Sequence, residues 1–158
     1  MTVDAYLIEM GRTLGLALKL DDGGRCTLTC DGGFSVEIAW LARADAVLLT
    51  APLLDSPVEN ASALHRFALL YAHDLDRTRG AAVSIDPSAN DRPELQLMRR
   101  LDELDARSFR TMVGGFILVV QEARAAFDEH IAMASDTTAD SEPAFAEEPP
   151  HDAAFIRV

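Results

Sequence analysis

The stretch "GAAVSIDPSANDRPELQLMRRL", Gly80 to Leu101, contains two runs of period-two alternation separated by a polar connection. Ala81, Val83 and Ile85 alternate with Ala82, Ser84 and Asp86, and Leu95 and Leu97 alternate with Glu94, Gln96 and Met98, which is the pattern of strands with one buried face. Pro87 cannot donate to a ladder and stops the first run. The loop Ser88 to Pro93 is polar and too long for the tightest hairpin turns, as a surface connection should be. A helical pattern follows: Phe109, Met112, Val113, Phe116, Val120, Ala123 and Phe127 recur at spacings of three and four between Ala106 and about Ala134, with Asp102 or Asp105 as its cap. Gly114 and Gly115 inside that helix cost about 1 kcal/mol each relative to alanine, which predicts that another element approaches the backbone closely there. The stretch offers no nucleophile, metal cluster or phosphate-cradling glycines, so its sheet is expected to serve as a surface for another polypeptide.

Upstream, Val3, Tyr6, Leu7, Met10 and Leu14 form one stripe of a helix over about Thr2 to Leu16, with Thr2 as N-cap. "LDDGG" is a turn because Asp and Gly tolerate left-handed backbone. Strands are expected over Arg25–Cys30, Ser35–Trp40 and Ala46–Leu54. The last is apolar on both faces and should be covered on both, and Pro52 ends it or puts it at an edge. Ser62 caps a helix to about Asp76 whose stripe is Leu64, Phe67, Ala68, Tyr71 and Leu75. Leu69 and Leu70 widen that stripe past half the circumference, which suggests a subunit contact. The order α-β-β-β-α-β-β-α predicts an α+β fold: a five-stranded antiparallel sheet with three helices on one face, leaving the other face and the second helix partly uncovered. Residues 1–134 make the folded domain. Residues 135–158 form an acidic, Pro-containing tail of six acids, one base and three prolines, whose composition predicts a flexible segment.

In a chain of 158 residues, 49% apolar composition supplies one real core. With 26 acidic against 14 basic side chains the net charge is −12, which repels phosphate backbones and anionic lipid, so nucleic acid and membrane surfaces are poor partners. No apolar run approaches the ~20 residues of a membrane span. Asp4 and Glu9 stand where a basic leader would, and the protein is expected to be cytoplasmic.

Searching for chemistry returns bland readings. Cys26 and Cys30, four apart in one strand, lie roughly 13 Å apart, beyond disulfide reach. The four histidines, His65, His73, His130 and His151, have no zinc-type spacing with them, so no metal or cofactor is expected. Asp102, Glu103 and Asp105 precede a helix and suit its N-terminal dipole rather than acid–base catalysis. Arg77 and Arg79 suit the end of the preceding helix, with Gly80 as its C-cap. A hydrolase or ligand sensor using His65 or His73 beside Asp74 would require a closed pocket at that place.

The element order, with "LHRFALLYAHDL…GAAVSIDPSANDRPELQLMRRLDELDARSFRTMVGGFILVVQEARAAF", resembles the class I type III secretion chaperones, the Tir-chaperone (CesT-like) family of Gram-negative bacteria, over about residues 3 to 133. The resemblance implies a non-enzymatic homodimer that binds the N-terminal region of one or more effectors as an extended chain. The effector is kept soluble and secretion-competent, with delivery to the secretion ATPase. It implies dimer contacts at Leu64, Phe67, Leu70, Tyr71, Ala82 and Val83, and effector-binding sheet surface at Leu28, Val36, Ile38, Trp40, Val47 and Leu49, each of which also fits ordinary core. The acidic tail is expected to attract basic effector segments or to shield the apolar site when empty. A regulatory or stress-related protein of the same fold, binding a folded partner, is the alternative.

Overall fold

A computed structural model of the chain describes residues 2–56 and 61–139. Its elements are α1 (Val3–Leu14), β1 (Arg25–Thr29), β2 (Ser35–Leu41), β3 (Ala46–Pro52), α2 (Ala61–His73), α3 (Leu75–Thr78), β4 (Ala82–Asp86), β5 (Arg92–Arg100) and α4 (Ala106–Ala139). The five strands make one antiparallel sheet in the order β1-β2-β3-β5-β4, so the architecture is α+β with β1 and β4 at the two edges. Within the stretch 80–101, Val83 pairs with Leu95 and Ile85 with Pro93. The connection reverses because Asp86 accepts the Ser88 N–H at 2.9 Å and because Asn90 and Asp91 adopt φ of 56° and 54°, a left-handed backbone that short polar side chains tolerate.

One sheet face carries the core. Cys26, Leu28, Val36, Ile38, Val47, Leu49, Ala51 and Leu95 lie under helices that contribute Tyr6, Leu7, Leu64, Tyr71, Phe109, Val120 and Phe127. Tyr6 ties α1 to the start of α4: its ring stacks on Phe109 at 5.3 Å, and its hydroxyl donates to the Leu104 carbonyl at 2.6 Å. Phe67 ties α2 to α4, meeting Phe127 edge-on at 4.9 Å and lying parallel to the His130 ring at 4.1 Å. Such aromatic pairs add to the area they bury.

α1 starts where Thr2 accepts the Ala5 N–H and stops at Gly15, whose φ is 71°. The chain then doubles back, with the Leu16 N–H on the Gly11 carbonyl at 2.8 Å and the Leu20 N–H on the Asp4 carboxylate at 2.9 Å. A Cβ at Gly11 would collide with the Leu16 carbonyl oxygen. Gly11→Ala is therefore expected to lower the unfolding free energy by about 1–3 kcal/mol, read from urea denaturation; an unchanged midpoint would contradict this packing.

Asp105 caps α4, accepting the Ser108 N–H at 2.7 Å while the Ser108 hydroxyl accepts the Asp105 N–H at 2.8 Å. Asp102 instead pairs with the Arg100 guanidinium at 2.9 and 3.0 Å. The backbone and side-chain bonds from Ser108 hold the Asp105 carboxyl below the usual carboxylate range. A depressed folded pKa contributes stability that is fully present above the unfolded carboxylate pKa and is lost as pH falls through the folded one. Asp105→Asn keeps the capping oxygen and removes the titration. The variant is expected to lose less stability than the wild type between neutral pH and the acid range, and parallel urea midpoints at all pH values would contradict this.

Several sequence expectations shift. α2 ends at His73 rather than Asp76, because Asp74 accepts the Arg77 N–H at 3.2 Å and opens α3 as a separate turn. That turn is closed by Arg79 at φ 50°, one residue before the expected glycine. Leu75 leaves the α2 stripe as a result and is 71% exposed. Ser62 lies inside the first turn of α2 rather than at its cap. Leu14 is exposed because the helix stops immediately after it. Nothing lies within 4 Å of where a Cβ would sit at Gly114 or Gly115, so no close approach explains those glycines among the described residues. α4 continues to Ala139, five residues past its expected end. The expectation for residues 140–158 lies outside the described residues.

Candidate protein-binding surfaces

The sheet face away from the helices is not the apolar platform that the strand patterns suggested. The cross-strand row Arg25, Ala39, Leu48 and Met98 is apolar except for its arginine, but the neighbouring row Thr27, Glu37, Thr50, Gln96 and Ala82 and the row Pro52, Glu94 and Ser84 are mostly polar. Thr27, Glu37, Thr50, Gln96, Pro52 and Glu94, with Arg25, Ser35 and Asp86, line a shallow depression of about 450 Å³. β3, apolar on both faces in sequence, is covered on its inner face, where Val47, Leu49 and Ala51 are fully buried; Leu48, Thr50 and Pro52 stay half-buried on the outer face.

The edge strand β1 is the better candidate for pairing with a chain. The Trp40 N–H bonds to the Gly24 carbonyl and the Cys30 N–H to the Phe34 carbonyl, so in the alternation of an antiparallel ladder the even-numbered residues of β1 bond to β2. Arg25, Thr27 and Thr29 then direct N–H and C=O to the open edge. Asp21 occupies the first of these positions, its N–H on the Arg25 carbonyl at 2.7 Å and its carboxylate on the Arg25 N–H at 2.8 Å. Thr27 and Thr29 remain facing outward on a strand that pairs with β2 alone.

A second surface lies across α2 and the opposite edge strand. Ser62, Arg66, Leu69, Leu70 and His73 form the exposed stripe of α2, with Leu69 at 74% and Leu70 at 63% exposure. β4, packed beside α2, adds exposed Ile85 on that side, while exposed Ala82 lies on the opposite sheet face. Two adjacent leucines this exposed, rimmed by polar Ser62, Arg66 and His73, mark an interaction face.

The residues singled out from sequence divide accordingly. Leu28, Val36, Ile38, Val47 and Leu49 are buried in the core of the chain itself, because α1 and α4 consume that face of the sheet. Trp40 shares their side of β2 but sits where the helical cover runs out and is 44% exposed. Leu64 and Tyr71 are core, Phe67 and Val83 half-buried, and Leu70 and Ala82 exposed. Sequence periodicity could separate in-facing from out-facing positions, but not a sheet's covered side from its open one; the alternating Thr and Glu of β1 and β2 were the available signal.

The candidate chemistry disperses. The His65 Nε2 lies 3.0 Å from the Asp91 carbonyl, His73 is exposed, and Asp74 is engaged as the α3 cap. Neither histidine lines the two cavities described for this fold. Cys26 and Cys30 are free thiols whose pKa values are pushed up by burial. Among the described residues no helix is long and apolar enough to cross a membrane.

Residues 6–124 match the model of the Tir chaperone protein (CesT) family. No curated protein sequence matches the chain. Among solved structures, a chain in the ExsC–ExsE complex superposes with TM-score 0.66 at 20% identity, covering 78% of this chain and 91% of that one. A chain in the HopA1–SchA chaperone–effector complex gives 0.63 at 17%, covering 77% and 91%. The heterodimeric ExoU–SpcU complex from the type III secretion system of Pseudomonas aeruginosa gives 0.58 at 14%, covering 82% and 97%. At these identities the likeness is one of fold.

Proposed function

Because the chain belongs to the Tir chaperone protein (CesT) family and is a class I type III secretion chaperone, we propose that it holds the N-terminal region of a secreted effector as an extended chain, soluble and ready for export. The observation that carries this is the open edge of β1, where Thr27 and Thr29 turn their backbone groups outward. An unfolded client loses chain entropy on binding, and a ladder of main-chain bonds along an edge offsets part of that cost whatever the client's sequence. Exposed Ile8, Leu14 and Leu16 in and after α1, with Trp40 at the sheet rim, supply apolar contacts. The structures with which this chain shares its fold include chaperone–effector pairs, which supports the same use of it.

The working unit of this proposal is a homodimer joined through the exposed face of α2 and the neighbouring edge of β4, at Leu69, Leu70 and Ile85; Leu64 and Tyr71, expected from sequence at this contact, are spent in the chain's own core. It acts in the cytoplasm, catalyses no reaction and hands its client to the secretion ATPase. The net charge of −12 keeps such a dimer soluble and favours client segments rich in Lys and Arg. Co-purification from the native host followed by mass spectrometry tests the proposal. A secreted protein held through its N-terminal region is the expected result; a folded, non-secreted partner alone would favour the regulatory alternative.

A further inference from the structure

An unpaired strand edge can pair with any other strand, including its own copy in a second molecule, and proteins that keep such an edge must control what it accepts. In this chain the control lies in the connection from α1 to β1. The Leu20 N–H on the Asp4 carboxylate at 2.9 Å holds that connection against α1, and Gly24, at φ 74°, turns it into β1. Between these two points Asp21 lies alongside Arg25. Its N–H donates to the Arg25 carbonyl at 2.7 Å, and its carboxylate accepts the Arg25 N–H at 2.8 Å and the Gly23 N–H at 2.9 Å. In an antiparallel ladder the two residues of a hydrogen-bonded pair exchange both N–H···O bonds. Asp21 reproduces that exchange with a side-chain oxygen in place of its carbonyl, which instead accepts the Gly24 N–H at 3.0 Å. The edge is filled at Arg25 and, among the described residues, open at Thr27 and Thr29.

We propose that Asp21 determines the specificity of this edge by stopping the β1 strands of two copies from pairing with each other. Two copies of one strand related by a two-fold axis meet antiparallel, each presenting the same surface to the other. With the axis at Thr27, Arg25 of each copy comes opposite Thr29 of the other. Asp21 already fills the place needed at both ends, and the Thr27 pair alone is left. With the axis at Leu28, Thr27 comes opposite Thr29, but Asp31 of each copy is brought to the place held by Asp21 of the other. Two carboxylates then face each other at both ends of the ladder, which is destabilising. An extended client meets neither obstacle, because a chain with no fold of its own can pair at Thr27 and Thr29 and turn out of the sheet before Arg25. The admission of a client rests on the function proposed above; the exclusion of a second copy needs no client.

Light scattering coupled to size exclusion, on the protein alone over a range of concentrations, tests the proposal. Asp21→Gly removes the carboxylate and leaves the connection a single backbone bond to Arg25. Its mass is expected to rise with concentration to at least twice that of the wild type. Adding Thr27→Pro, whose ring obstructs the edge, should return it to the wild-type mass. Asp21→Asn keeps the accepting oxygen and should keep the wild-type mass. An unchanged mass in Asp21→Gly would overturn the proposal, as would association that Thr27→Pro leaves in place or that Asp21→Asn shares in full. No client is present in these measurements, so their failure would leave effector binding standing, and a failure of effector binding would show in the co-purification and not here.

Discussion

Replacing Leu69 and Leu70 together by glutamate is expected to convert the protein from a dimer of twice 17.2 kDa into a folded monomer of 17.2 kDa. At 74% and 63% exposure these side chains contribute little to the chain's own core, so circular dichroism and the urea midpoint should change little. Buried in a subunit interface, each leucine is worth about 1.5–3 kcal/mol, and an uncompensated carboxylate in its place costs several more. Even ~4 kcal/mol in all raises the dissociation constant by about a thousandfold. Light scattering coupled to size exclusion reads the result. A variant that remains dimeric would place the interface elsewhere, and a wild type that is monomeric at micromolar concentration would remove the dimer from the account.

The second large effect is expected at the opposite edge. Thr27→Pro removes an outward-facing N–H and puts a ring into the path of an added strand, while the bonds that β1 makes to β2 come from Cys26, Leu28 and Cys30 and stay in place. An edge position tolerates proline, so the fold should survive. Client affinity is expected to fall tenfold or more, about 1.4 kcal/mol, which is the scale of one main-chain bond with its desolvated partner. Thr27→Val, which keeps the backbone donor, should bind nearly as the wild type does. Equal losses in both variants would mean that the threonine side chain, and not the strand edge, is being recognised.

Most of the fold was legible because it depends on local rules. The alternation in Ala81–Ile85 and Glu94–Met98, the spacing from Phe109 to Phe127 and the cap at Thr2 each specify an element without reference to the rest, while the choice of Asp105 over Asp102 as the α4 cap needed the bond from the Ser108 N–H. What sequence did not reveal was relational. A Leu or Val in a strand reads the same whether a helix of its own chain or a foreign polypeptide covers it, so Val36 and Leu49 could not be told from binding surface until α1 and α4 were seen over them. The break at Asp74 was hidden for a similar reason: an aspartate after an apolar stripe can continue one helix or cap another, and only the bond to the Arg77 N–H decides. Gly114 and Gly115 looked like a packing site, and the structure instead leaves open space beside them.

The central claim is that two copies of this chain hold one stretched client. Hydrogen exchange combined with light scattering on the complex co-purified from the native host tests that most directly. The account requires the mass of two chains and one client. It also requires slowed exchange in β1 and in a single N-terminal stretch of the client that has no globular fold of its own. A complex of one chain with a client protected as a folded domain, with β1 exchanging as freely as in the unbound protein, would contradict it.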